Sequence, residues 1–111
     1  MEKNDIMNNF TVIYKILSAL EKSMDFENFD SEQISPEKLG ITKERRDKLL
    51  IEMQREGYIT GISVKKWLSS PAHIEEPISP NITIKGLEYL AENSMMKKAC
   101  SALKGIAEFI P

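Results

Sequence analysis

The chain has 111 residues, 41% hydrophobic and 29% charged, which is the allowance of one globular domain. Its formal net charge is −2, from 15 Lys and Arg against 17 Asp and Glu; this excludes a strongly basic nucleic-acid coat and an acidic solvating tail. With one cysteine and one histidine, a disulfide framework is excluded, and so is a metal site of His and Cys alone, which needs three or four ligands.

The first five residues, Met1-Glu2-Lys3-Asn4-Asp5, lack the basic and apolar regions of a signal peptide. No window approaches 18 consecutive apolar residues, so no membrane span is expected and the expected location is cytoplasmic. Ile6, Phe10, Ile13, Leu17, Leu20 and Met24 recur at steps of four and three. That spacing predicts a helix over 7–23 with this stripe buried, and Val12, Tyr14 and Ile16 widen the buried face. The run from Asp25 to Glu37 holds five acids and no base. It reads as a solvated connector anchored by Phe26 and Phe29, with a short strand near Glu32–Ile34.

Ser35-Pro36-Glu37 is a helix start: Ser caps free N–H groups, Pro tolerates the first helical position, and Glu suits the positive helix end. Gly40 stops this helix after about five residues. Thr42 caps a second helix from Lys43 to about Glu56, which ends at Gly57. Two helices joined across Leu39-Gly40-Ile41-Thr42 follow the grammar of a helix-turn-helix. Tyr58 to Val64 is rich in β-branched and aromatic residues and reads as a strand, with Gly61 marking a bulge or close backbone approach. Ser69 to Pro80 holds three prolines and reads as a loop. Ile82-Thr83-Ile84 is the returning strand of a β-hairpin, and Thr83 doubles as N-cap of a helix carrying Leu87, Leu90 and Ala91. Asn93-Ser94 reads as a break. Met96, Ala99, Leu103, Ile106 and Ile110 then form one stripe of a terminal amphipathic helix, flanked by Cys100 and Ala107. Cys100 reads as a small hydrophobe.

The order helix, short strand, helix, tight turn, helix, hairpin, helix is that of a winged helix. The expected fold class is therefore mainly α with a small antiparallel β-hairpin (α+β): a winged helix-turn-helix over 1–94, with an added C-terminal helix over 95–111. That last helix packs on the domain or on a second chain. The apolar stripes of the first and last helices invite a homodimer, unless the two stripes cover one another.

Gly57-Tyr58-Ile59-Thr60-Gly61, followed by Ile82-Thr83-Ile84-Lys85-Gly86-Leu87-Glu88-Tyr89-Leu90 and Glu92-Asn93-Ser94, resembles the YjcQ family of small proteins from Gram-positive bacteria and their phages. The resemblance spans roughly residues 8–105. It implies a winged-helix fold and a bacterial, phage or prophage setting; it implies no reaction and carries over no site residues.

A winged helix reads double-stranded DNA by laying its third helix in the major groove, with the wing near the backbone. Phosphate contacts need Lys and Arg. Lys43, Arg45, Arg46 and Lys48 lie in the first turns of that helix, Arg55 lies on its far side, and Lys65 and Lys66 lie at the wing. These seven residues are the candidate nucleic-acid-binding set of a DNA-binding transcriptional regulator. On the helical wheel Leu49, Met53 and Thr42 face the core, with Leu50 and Arg46 near that direction. Glu44, Asp47 and Ile51 point away. Opposing the DNA reading, Glu75, Glu76 and the acids of 25–37 would repel phosphate within about 8–10 Å. The alternative is a protein–protein interaction adaptor anchored by Ile51 and Trp67. Trp67 either stacks a base or closes a small core. No enzyme is expected: the five glycines are scattered, His73 is a lone histidine in a Pro-rich loop, and Cys100 has no evident base partner. No cofactor and no metal are expected.

Overall fold

A computed structural model describes residues 5–66 and 72–93, with side chains from Asn9 onward. Trp67, Cys100, the expected terminal helix and the division at 94/95 lie outside these residues.

Helix α1 spans Asp5–Lys22. It packs against later helices, a strand and a following turn, so its buried arc is wide. Val12, Tyr14, Ile16, Leu17 and Leu20 are buried, and the row Val12–Ile16–Leu20 at i, i+4, i+8 lines the core. The expected stripe is corrected at both ends: Phe10 is 44% and Met24 60% exposed. Met24 has left α1 for a 3-10 turn over Ser23–Asp25, whose tighter winding breaks the 3.6-residue period. Of the two expected aromatic anchors, Phe29 packs on the core and Phe26 is 72% exposed.

The strand expected at Glu32–Ile34 is instead a 3-10 turn over Ser31–Ile34. The Asp30 carboxylate accepts from the Glu32 N–H at 3.1 Å, and backbone bonds from Gln33 to Asp30 and from Ser35 to Glu32 close the turn. A local side-chain acceptor thus diverts the backbone from strand pairing, while Ile34 is fully buried.

Helices α2 (Pro36–Leu39) and α3 (Lys43–Arg55) form as their caps dictate. Ser35 Oγ accepts from the Lys38 N–H and Thr42 Oγ1 from the Arg45 N–H. Gly40 closes α2 at φ 74°, where its N–H reaches the Pro36 and Glu37 carbonyls.

Residues 58–64 are not one strand. Strand β1 is Ile59–Thr60 and β2 is Val64–Lys65. The region expected as loop contains β3 (His73–Ile74), so the exposed His73 sits in a ladder. Strand β4 is Asn81–Ile82. Pairing is antiparallel, β1 with β4 (Ile59↔Ile82) and β2 with β3 (Val64↔Ile74). The split falls at Gly61, with φ 90°, where a Cβ would stand 3.0 Å from the Ser79 carbonyl oxygen. Helix α4 runs Ile84–Glu92 behind the Thr83 cap and ends at Asn93. Ile84, expected in the strand, is the first helical residue.

Leu50, Ile59, Ile34 and Leu20 meet with Met53, Ile62, Ile74 and Ile78 in one core. The described protein is thus a mainly helical α+β fold with a small antiparallel sheet. Among the described residues no helix is long and apolar enough to cross a membrane, and no group of three or more His, Cys, Asp or Glu side chains is placed to hold a metal ion.

Candidate nucleic-acid interface

Helix α3 faces the core through Arg46, Asp47, Leu50 and Met53. This rotates the sequence expectation slightly: Leu49 is half-buried, Thr42 is exposed and Asp47, expected on the far side, is buried. The reason is an ion network. The Arg46 side chain is only 5% exposed and donates to Asp47 Oδ1 (3.0 Å), the Ile34 carbonyl (3.3 Å) and Glu76 Oε2 (3.1 Å). Lys43 Nζ holds the other Asp47 oxygen at 2.8 Å. A buried guanidinium satisfied by three acceptors is a structural group. Arg46 is therefore removed from the phosphate-facing set: it ties α3 to the 31–34 turn and to the loop after β3.

The other six cations differ in how free they are. Lys43 is paired with Asp47, Arg55 with Glu52 at 2.7 Å, and Lys65 with Glu75 at 3.4 Å across the hairpin. Arg45 is exposed and donates to Asn9 Oδ1 on α1 at 2.7 Å, and has no carboxylate partner among the described residues. Lys48 and Lys66 are exposed and stand outside the ion pairs of the described residues. Ile51, expected to point outward as an anchor, is half-buried against the core.

Two further groups hold the helix and hairpin in register. The Gln54 amide donates to the Ile62 carbonyl at 2.9 Å and accepts from the Ile62 N–H at 2.8 Å. It takes the place of a strand partner where the ladder is interrupted. At the other end of α3, Lys85 Nζ donates to the Glu56 carbonyl at 2.7 Å and lies 4.9 Å from the Tyr58 ring centroid. A cation there complements the negative helix end and the ring face.

The residues that carried the family resemblance surround this junction. Thr83 Oγ1 accepts from the Gly86 N–H and donates to the Gly57 carbonyl at 2.6 Å, while the Thr83 N–H donates to the Tyr58 carbonyl. Tyr58 and Tyr89 pack edge to face, centroids 5.4 Å apart. Burial, and then the neighbouring Tyr58 phenol, raise the Tyr89 pKa above 10.0. A Cβ on Gly86 would stand 2.5 Å from the Tyr58 carbonyl oxygen. The motif is thus a structural weld between the end of α3, the hairpin and α4. Neither Gln54 nor Glu76 carried a local signal, since each acts on residues distant in sequence.

The geometry defines a small, mainly helical α+β protein in which a tightly joined helix pair is locked to a broken hairpin, with cations on both that form no ion pair among the described residues. The family model described as YjcQ protein matches residues 14–109. The chain is also 31% identical over 77 residues to the uncharacterized protein YjcQ of Bacillus subtilis (strain 168), across 69% of this chain and 78% of that one. The chain belongs to the YjcQ family. No solved structure matches it.

Proposed function

We propose that this is a winged-helix protein that binds double-stranded DNA as a non-catalytic regulator in a bacterium or its phage. The observation that carries this reading is the exposed cations on α3 and the hairpin: Arg45, Lys48 and Lys66 have no carboxylate partner among the described residues. Helix α3 is the element that a winged helix lays in the major groove, and the hairpin is its wing. Ion pairs at Lys43, Arg55 and Lys65 make these residues secondary contacts, recruited only by breaking a bond to Asp47, Glu52 or Glu75. A bacterial relative supports the setting. A homodimer would have to use faces other than the core of the first helix's stripe, since Leu17 and Leu20 are buried within the chain; sedimentation giving only monomer at tens of micromolar would remove the homodimer alone. The test of DNA binding is a fluorescence-polarisation titration with random-sequence duplex and with selected genomic fragments at low salt. Binding that weakens on Lys48→Ala supports the reading, and absence of binding to both ligands refutes it.

A further inference from the structure

Among the described residues, a strongly exposed pair of apolar residues close in sequence lies away from α3. Met24, on the 3-10 turn that leaves α1, and Phe26, the extended residue that caps it, are 60% and 72% exposed. Sequence pattern would anchor Phe26 inward, yet only Phe29 reaches the core. Methionine and phenylalanine are adaptable, energetically dominant groups at protein interfaces. Exposing both on one turn costs solubility without contributing to the core.

The surroundings decide what kind of partner fits. Asp25, Glu27 and Asp30 are exposed around the pair and enter no ion pair among the described residues. Lys22 is the one cation between Glu21 and Glu37. Phosphate is repelled from such a surface, and a basic segment is attracted. The turn is also remote from the proposed DNA edge. Arg45 touches α1 at Asn9, and the turn begins after Lys22 at the opposite end of that helix, about 20 Å away at 1.5 Å per residue. That exceeds the Debye length of about 8 Å for the Met24 end of the surface, whereas Asp30 caps the 31–34 turn that Arg46 holds to α3.

We propose that the Met24–Phe26 turn docks a basic segment of another protein, which covers the two apolar side chains while its Lys or Arg residues meet Asp25, Glu27 and Asp30. The inference stands whether or not α3 binds DNA. It is tested on the full-length, isotope-labelled chain by amide NMR shifts, with an 18-residue amphipathic Leu/Lys peptide as probe and its Leu/Glu counterpart as control. Shifts centred on Ser23–Asp30 with the Lys peptide alone support it, together with a Kd that rises about tenfold in Phe26→Ala and little change at Lys48. Shifts spread over all acidic surfaces and unchanged in Phe26→Ala would reduce it to charge attraction and overturn it. Two other outcomes also overturn it. Concentration-dependent shifts at 23–30 without peptide would assign the turn to a second copy. Shifts within 94–111 caused by Phe26→Ala would assign it to the chain's own C-terminal segment. Because Phe26 is largely exposed, the variant keeps the fold, and a separate duplex titration reports on α3.

Discussion

Gly86 shows how one absent methyl fixes the junction of three elements. A Cβ there meets the Tyr58 carbonyl oxygen at 2.5 Å and Ile82 Cγ1 at 2.6 Å. Within a helix Gly→Ala gains about 1 kcal/mol in propensity, but the clash is with backbone, which cannot swing aside. Overpacking of this kind costs roughly 1–3 kcal/mol, so Gly86→Ala is expected to lower stability in urea unfolding despite the better helix former. Its neighbour Tyr89 reports the same packing by titration. Burial raises its pKa first and Tyr58 second. The folded state therefore holds the phenol proton more tightly than the unfolded chain does. The associated stability is present below pH 10 and is lost as pH rises through the folded value. Absorbance titration should place Tyr89 above the free phenol. Tyr58→Phe should lower its midpoint only in part, because the larger cause, burial, remains.

The broken hairpin makes Gln54 the counterpart of a missing strand. Ile62 is buried, and both its N–H and its carbonyl are satisfied by the Gln54 side chain. Gln54→Ala leaves two buried backbone groups unpaired, at about 1–3 kcal/mol each, and should abolish hydrogen-exchange protection at Ile62. Gln54→Glu keeps an acceptor for the N–H but offers the carbonyl no donor, so partial protection is expected. These elements also mark what was legible in the sequence. The caps at Ser35, Thr42 and Thr83 and the stop at Gly40 were readable because each acts within three or four residues. The buried arc of α1 was misjudged at Phe10 and Met24 because the elements packed against that helix, and not its own period, decide which residues are covered. The single strand over 58–64 failed because Gly61 turns the chain while Gln54 satisfies it from another element. Within the candidate site, the placement of basic residues on α3 and the core-facing direction of Arg46 are legible in the sequence, but the structural role of Arg46 and the burial of Asp47 are not. The carboxylate that draws Arg46 inward, Glu76, lies thirty residues downstream.

At the scale of the whole molecule, the net charge of −2 becomes a matter of where charge is committed. Seven cations were candidates for phosphate. Arg46 is buried, and Lys43, Arg55 and Lys65 each face a carboxylate. Arg45, Lys48 and Lys66 remain. Each neutralised phosphate contributes about −0.9 to the slope of log K against log salt. Three contacts per chain therefore give a slope near −3 per bound chain, against about −5 if Lys43, Arg55 and Lys65 also took part. Such a shallow slope implies weak binding by one chain, which is why the proposed homodimer matters: two chains on one duplex double the slope and the contact count. The measurement is duplex affinity from 50 to 200 mM salt. Lys48→Ala should reduce the slope by about one per chain. Glu75→Gln frees Lys65 from its 3.4 Å partner and should steepen the slope by a similar amount. A wild-type slope near −5 per chain would mean that the helix and hairpin ion pairs open on binding, and that the charge distribution of the free protein is not the one the duplex meets.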